Sequence, residues 1–312
     1  IGPTDVRVRA LRSAISQGTE MLVYRGQVDP DLPLDLPTLK GSFRFPIKYG
    51  YASVGRVEAV GAGVDGIKEG DLVFVHHPHQ SCYVVPETAA IRLPDDLEPE
   101  AGVLLANLET AITIVLDAHP RLGCRAVVFG LGVVGQLVVQ LLRRAGAVAV
   151  IAVDPIERRR QLARSIGATL AIGPEAGLVQ RVIQETDGVG ADVAIEVSGN
   201  PRALDQAITT VTFQGTVVVA SWYGTKPVSL DLGGAFHRNR VRLRSSQVSH
   251  LDPALGWAWS AARRLQLATE LLGEISWAPL ISHRIPLEDA PEAYRLVDER
   301  PAETVQVLLT YV

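Results

Sequence analysis

The residues most plainly suited to chemistry are the three glycines of the run Gly130-Leu131-Gly132-Val133-Val134-Gly135. This G-x-G-x-x-G spacing suits a pyrophosphate. The first glycine permits a tight turn, the second lets backbone approach the phosphates, and the third lets helix and strand pack closely. A helix opening there adds amide donors and a favourable dipole. Asp154 stands 19 residues after Gly135, at the end of the next strand-like run. There a carboxylate is placed to accept hydrogen bonds from both hydroxyls of an adenosine ribose, so NAD(H) is the expected cofactor and NADP(H) the less favoured one. Arg158 and Arg159 pull the other way, because a cation can receive a 2′-phosphate. The competing reading of the motif alone is a glycine-rich turn in some other α/β protein.

A strand and a helix must flank this loop, and the sequence supplies both. Ala126–Phe129 reads as a buried strand and Val134–Ala145 as a helix. Strand and helix patterns then alternate: strand 148–153, helix 157–166 ending at Gly167, short strand 171–172, helix 178–186, strand 192–197, helix 201–210, strand 215–220. Such alternation implies a doubly wound parallel sheet. Residues 1–107 read instead as β-rich, with alternation in Val6–Ala10 and Val54–Val60 and a short strand at Leu72–Val75. A proline-rich loop from Asp29 to Gly41 carries Pro30, Pro33 and Pro37. After about residue 247 come an amphipathic helix, Leu255–Leu272, with Trp257 and Trp259, a strand 281–286, a helix 287–298 and a closing strand 305–310. The expected organisation is one β-rich domain, 1–107 with 247–312, interrupted by a dinucleotide-binding domain, 108–246.

With loop, acid and alternation in place, the chain resembles the medium-chain dehydrogenase/reductase superfamily, the zinc alcohol dehydrogenase relatives. The resemblance runs through Gly18-Thr19-Glu20, Gly50-Tyr51-Ala52-Ser53-Val54-Gly55-Arg56-Val57, Val60-Gly61, Gly70-Asp71-Leu72-Val73, Glu196-Val197-Ser198-Gly199 and His283–Ala290. It implies an α/β fold, a GroES-like catalytic domain plus a Rossmann domain, with about one strand pair usually preceding Ile1. It implies cofactor contacts from Thr110, Arg159, Ser198 and Gly199 in addition to the glycine loop and Asp154. The family's catalytic zinc does not carry over. Its ligand positions are matched by Gln17, Tyr51 and Ala106, none of a type that binds zinc. The zinc-lacking character of Ser16-Gln17-Gly18-Thr19-Glu20 and Ser245-Ser246-Gln247-Val248 is shared locally with a bacteriochlorophyllide dehydrogenase branch. No metal is expected.

Without zinc, side chains or the cofactor ribose must steady charge on the substrate oxygen and move its proton. By resemblance Thr19 matches the hydroxyl residue that relays the alcohol proton; the plain alternative is an ordinary threonine in an early strand. Tyr51 takes the place of a histidine ligand, which implies a hydroxyl facing the nicotinamide; it either donates a proton or simply fills the space of the metal. His77 falls where the family places an aromatic residue lining the substrate pocket, which implies a pocket residue or general acid; the alternative is a surface loop histidine. The run His76-His77-Pro78-His79-Gln80-Ser81-Cys82 has ligand types, but Pro78 interrupts it and adjacent strand residues point to opposite faces. Gln17, Glu109, Trp222 and Tyr223 are the expected substrate-pocket residues, with a core role for the two aromatics as the alternative. Glu20 is expected to hold local backbone, Asp192 and Glu196 to be structural. Arg238, Arg240, Arg242 and Arg244 alternate as the solvated face of an edge strand.

Bulk composition narrows the class further. At 312 residues and 47% hydrophobic there is material for two ordinary cores. Charged residues at 21% and a net charge of −4 give no signature of nucleic-acid or membrane-surface binding. Two cysteines, Cys82 and Cys124, form no disulfide framework and suit a reducing, cytoplasmic setting. No signal peptide or membrane span is visible. The sequence reading is a zinc-independent NAD(H) oxidoreductase acting on a secondary alcohol, a ketone or an activated alkene, with a small-molecule substrate. The family also implies a homodimer through the strand around Val241–Ser246. An NADPH-dependent enoyl or quinone reductase and a non-catalytic NAD-binding or redox-sensing protein are the alternatives.

Overall fold

The computed structural model describes residues 1–34 and 38–312; Pro37 of the expected proline-rich loop lies outside them. The chain divides into two compact units, Ile1–Ala106 with Thr269–Val312, and Asn107–Ala268.

The first unit is built on β1 (Asp5–Ile15), whose alternation buries Val6, Val8 and Ala10 on one face. One edge of β1 pairs antiparallel with β2 (Ser53–Val60), which continues to β3 (Leu72–Val75). The other edge is shared by β4 (Cys82–Pro86), beside Asp5–Arg9, and by a strand from the far end of the chain, beside Arg12–Ile15. β5 (Ala90–Arg92) closes the β3 side. Two short helices follow from local signals: α1 (Thr19–Tyr24) has an acid in its first turn, and α2 (Pro99–Gly102) opens on proline. Thr19 is thus the first residue of a helix, not a strand residue. β1 has ended at Ile15, and the consecutive buried Met21, Leu22 and Val23 suit a short helix capping two apolar clusters.

The second unit holds a six-stranded parallel sheet. A helix, α3 (Leu105–Ala118), leads into β6 (Arg125–Phe129), α4 (Val133–Arg144), β7 (Ala149–Val153), α5 (Glu157–Ser165) and β8 (Leu170–Ile172). The second half runs α6 (Leu178–Glu185), β9 (Ala191–Glu196), α7 (Pro201–Thr210), β10 (Val211–Val219) and β11 (Arg242–Ser245). The strand order is β8-β7-β6-β9-β10-β11, so the order reverses between β6 and β9, where an open α/β sheet binds its ligand. Strands covered on both faces must be apolar throughout, and Ala126, Val127 and Val128 are fully buried. Burial of each such valine is worth roughly 1.5–3 kcal/mol.

Three sequence expectations change. The helix expected over Leu255–Leu272 is broken: Pro253–Ala258 forms a 3₁₀ stretch interrupted at Gly256, and α8 spans only Ala261–Leu272, leaving Trp257 fully exposed. The arginine ladder is shorter than its alternation suggests, since only Arg242 and Arg244 lie on β11, and Arg240 has a left-handed φ of 52°. Arg244 is also no solvated side chain, because it pairs with Asp117 and Asp252. The return to the first unit falls after Ala268, where the sequence suggests residue 247. The segment between is tied down by Arg264, which donates to Glu109, Thr113 and the carbonyl of Val248. The first unit is then completed by β12 (Ile281–Pro286), α9 (Ala290–Glu299) and β13 (Gln306–Thr310), the strand that pairs with β1. Among the described residues no helix is long and apolar enough to cross a membrane.

Candidate active site

The glycine loop is a cradle made by backbone. Gly130 has φ +96°, and a side chain there would put Cβ 2.7 Å from the Cα of Ser198. A Cβ on Gly135 would sit 1.9 Å from the Gly130 carbonyl oxygen, which no relaxation of a side chain relieves. Gly132 caps α4, leaving its first amides open to a ligand. Asp154, buried at the end of β7, accepts from the Leu131 amide (2.8 Å, Oδ2) and from the Ile156 amide (2.8 Å, Oδ1). It therefore holds the loop in shape while each oxygen keeps acceptor capacity for a ribose. Gln136 clamps the same loop, donating to the carbonyls of Leu131 and Arg159 at 3.2 and 2.9 Å. The Arg159 guanidinium lies 4.0 Å from Asp154; burial lowers its pKa and the Asp154 charge opposes that. Arg158 is exposed. This cradle fits a dinucleotide.

Across the strand-order reversal, β9 ends in Glu196, fully buried. Its Oε1 accepts from the Ser198 amide and hydroxyl, both at 2.6 Å, and from the Gly199 amide at 3.0 Å. Its Oε2 accepts from the Tyr223 phenol at 2.7 Å. Glu196 thus fixes Ser198 and Gly199 over Gly130, and its charge joins burial in pushing the Tyr223 pKa far up. Of the two aromatics expected to wall a pocket, Tyr223 is committed to Glu196 and Trp222 is 40% exposed. Glu109 is a buried partner of Arg264 at 3.1 Å, and Thr110, next on α3, is half-buried.

In the first unit Tyr51 precedes β2, and the Ser16 and Thr19 hydroxyls lie near its phenol. Burial, with the nearby Glu20 charge, pushes its pKa up to about 12, and the two hydroxyl contacts work against that rise. Glu20, 1% exposed on α1, accepts the Tyr294 hydroxyl at 2.9 Å and lies 3.1 Å from Nε2 of His79. It thus holds side chains rather than local backbone. Its Oε1 is buried with no hydrogen-bond partner among the described residues, an acceptor left open beside Tyr51. The other His79 nitrogen lies 2.6 Å from Ser13 Oγ, which is 2.7 Å from the Tyr311 hydroxyl. Gln17 turns away from this group and donates to Thr304 at 2.8 Å. His77 stacks on Tyr83, centroids 3.8 Å apart, and its Nδ1 lies 2.9 Å from the Pro78 carbonyl; burial lowers its pKa.

Both halves match known families. Residues 2–94 fit the alcohol dehydrogenase GroES-like domain and residues 133–262 the zinc-binding dehydrogenase domain. The chain is 30% identical to (R,R)-butanediol dehydrogenase of Bacillus subtilis (strain 168), with 84% of this chain and 80% of the relative covered. It is 29% identical to D-guloside 3-dehydrogenase of Escherichia coli (strain K12), covering 98% and 93%. The crystal structure of 2R,3R-butanediol dehydrogenase from Bacillus subtilis superposes with a TM-score of 0.79 at 26% identity, covering 100% of this chain and 93% of that one. The chain belongs to the zinc alcohol dehydrogenase-like medium-chain dehydrogenase/reductase superfamily. It is an NAD(P)-dependent oxidoreductase.

This medium-chain dehydrogenase has an unusual donor set where its superfamily holds catalytic zinc. Of the three matching positions, Gln17 is bonded to Thr304, Tyr51 carries a phenol whose pKa burial raises, and Ala106 has no side-chain donor atom. Such a set does not fit a tetrahedral zinc. Among the described residues, no three His, Cys, Asp or Glu side chains are grouped to hold a metal. Sequence reading missed the role of His79 and the pairing of Glu20 with Tyr294. The partners are far apart in the chain, and they meet where α9 packs against α1 beside the β1–β13 pairing.

Proposed function

We propose that this chain is a zinc-independent, NAD(H)-preferring dehydrogenase of secondary alcohols, with the Tyr51 phenol as the group that exchanges the substrate proton. The observation that carries the reading is a buried phenol at the position that matches a metal ligand, with the Ser16 and Thr19 hydroxyls near it favouring its ionised form. Bound NAD(H) supplies the hydride acceptor or donor. In ketone reduction the Tyr51 hydroxyl gives its proton to the carbonyl oxygen as the carbon gains hydride; in alcohol oxidation the phenolate takes the hydroxyl proton. Thr19 and Ser16 orient the phenol and favour its ionised form, lowering the cost of the oxidative direction. Asp154 supports NAD(H) over NADP(H), since a 2′-phosphate would face its carboxylate. Relatives named for butanediol and a guloside support a secondary alcohol over an activated alkene. The reading carries with it a cytoplasmic setting, no nucleic-acid or membrane partner, and a homodimer; β11, with Arg242 and Leu243 exposed at the sheet edge, is the surface that would pair.

The test is activity after exhaustive chelation. Turnover of a panel of secondary alcohols with NAD should survive, with at least a tenfold preference over NADP (about 1.4 kcal/mol). Loss on chelation with recovery on adding zinc overturns the zinc-independent mechanism.

A further inference from the structure

The loop that precedes Tyr51 and the residues that follow β3 border an open cleft of about 440 Å³, within the range of small-ligand sites. Its charged lining residues, among the described residues, are Lys40, Arg44 and Lys48, all cations, in a chain of net charge −4. Arg44 is neutralised by Asp31. Lys40 and Lys48 take part in no ion pair among the described residues. Two cations without an ion-pair partner among the described residues, on one concave wall, create a positive potential that an anion relieves.

Two lining residues, Lys48 and His77, are chain neighbours of residues that touch Tyr51. On one side Lys48 leads to Tyr49, whose ring meets that of Tyr51 edge-on at 6.2 Å. On the other, His77 follows His76, whose Nδ1 lies 3.2 Å from the Tyr51 carbonyl. His77 is held flat on Tyr83, and with Nδ1–H given to Pro78 its Nε2 presents a lone pair, an acceptor for a substrate hydroxyl. We infer that the cleft lined by Lys40, Lys48 and His77 is the distal subsite for a polyhydroxylated substrate ending in an anion, a phosphate monoester or a carboxylate, whose secondary alcohol reaches Tyr51. The inference rests on the dehydrogenase reading above. Lys40 and Lys48 hold the anion, and His77 accepts from a hydroxyl between the anion and the reacting carbon. These residues set specificity and take no part in the proton step.

The test compares sorbitol, sorbitol 6-phosphate and gluconate as substrates of the NAD-loaded protein, wild type and Lys40→Gln/Lys48→Gln. One of the two anions should exceed sorbitol in kcat/KM by at least about tenfold, the scale of one charge-assisted hydrogen bond, and which one exceeds it separates phosphate from carboxylate. In the double variant this advantage should vanish through KM, with kcat and sorbitol turnover unchanged, and Lys48→Arg should retain most of it. Equal use of all three substrates, or an advantage that survives the double variant, overturns the subsite. A second arm measures inorganic phosphate binding to the NADH-loaded protein by calorimetry. Phosphate binding that the double variant abolishes supports the subsite even where none of the three compounds is oxidised, in which case it is the alcohol dehydrogenase reading that falls. No phosphate binding to wild type, or binding unchanged in the variant, counts against the subsite.

Discussion

The two units hold their polar groups in place by different means. In the Asn107–Ala268 unit the cradle is backbone: Gly130 against Ser198, Gly135 against the Gly130 carbonyl, and two buried carboxylates, Asp154 and Glu196, whose main partners are amides. In the other unit the polar groups meet side chain against side chain: Glu20 with His79 and Tyr294, Ser13 with His79 and Tyr311, and the Tyr51 phenol near Glu20. A backbone site tolerates almost no change at its glycines but is indifferent to most of its side chains. A side-chain network can change its polar groups without altering the strands that carry them.

The comparison can be broken at four points. The largest effect is expected from Tyr51→Phe, which keeps the ring and removes the hydroxyl. Turnover should fall by about 10²–10⁴ in both directions, the usual worth of a positioned acid–base group, with NADH affinity by fluorescence titration unchanged. Retention of activity would move the proton step elsewhere. Next comes Gly135→Ala, whose Cβ has no room. NADH affinity should drop about 100-fold, on the scale of roughly 3 kcal/mol for severe overpacking. Its counterpart is Gly18→Ala, directly before α1, where nothing lies within 4 Å of the added Cβ; thermal stability should stay within about 0.5 kcal/mol of the parent. If both alanines are equally tolerated, the backbone account of the cradle is wrong.

The third point is pH. With its pKa pushed up to about 12, Tyr51 is protonated through neutral and mildly alkaline pH. Ketone reduction should therefore be insensitive to pH there, while kcat/KM for alcohol oxidation should climb about tenfold per pH unit as the phenolate fraction grows. A plateau in oxidation near neutrality would point to an imidazole instead. The smallest effect is expected at Glu100, bonded to Arg284 and Arg12, the former pairing being the main cause of its lowered pKa. A depressed carboxylate stabilises the fold above its unfolded pKa and loses that contribution as pH falls through the folded value. Glu100→Gln should thus cost less than about 1 kcal/mol at pH 7, because Arg284 is half exposed, and the two proteins should converge in acid. Denaturant melts across that range measure it.

These differences explain what was legible in the sequence. β3, α7 and β12 fall on the residues their patterns indicate, and the glycine loop is visible because only glycine satisfies its geometry. Side-chain networks leave no such mark. Nothing local in Ser13, His79 or Tyr294 reports that they share a buried cluster. Thr19 reads as a strand residue because it follows an alternating run, yet the apolar triplet Met21-Leu22-Val23 demands a helix. Trp257 reads as part of an amphipathic face, and the break at Gly256 puts it in solvent.

The pairing of β13 with β1, in which Ser13 sits opposite Leu309, sets an order of events during synthesis. At about 5–20 residues per second on a ribosome, roughly fifteen seconds to a minute separate the two strands. By then all six strands of the parallel sheet have emerged, the last ending at Ser245. The nascent chain therefore carries a finished nucleotide cradle while half of one β1 edge is still an open template for wrong partners. Dinucleotide already present in the cell has something to bind before the β1–β13 pairing exists, and the bare edge is a point at which wrong pairing can compete with folding.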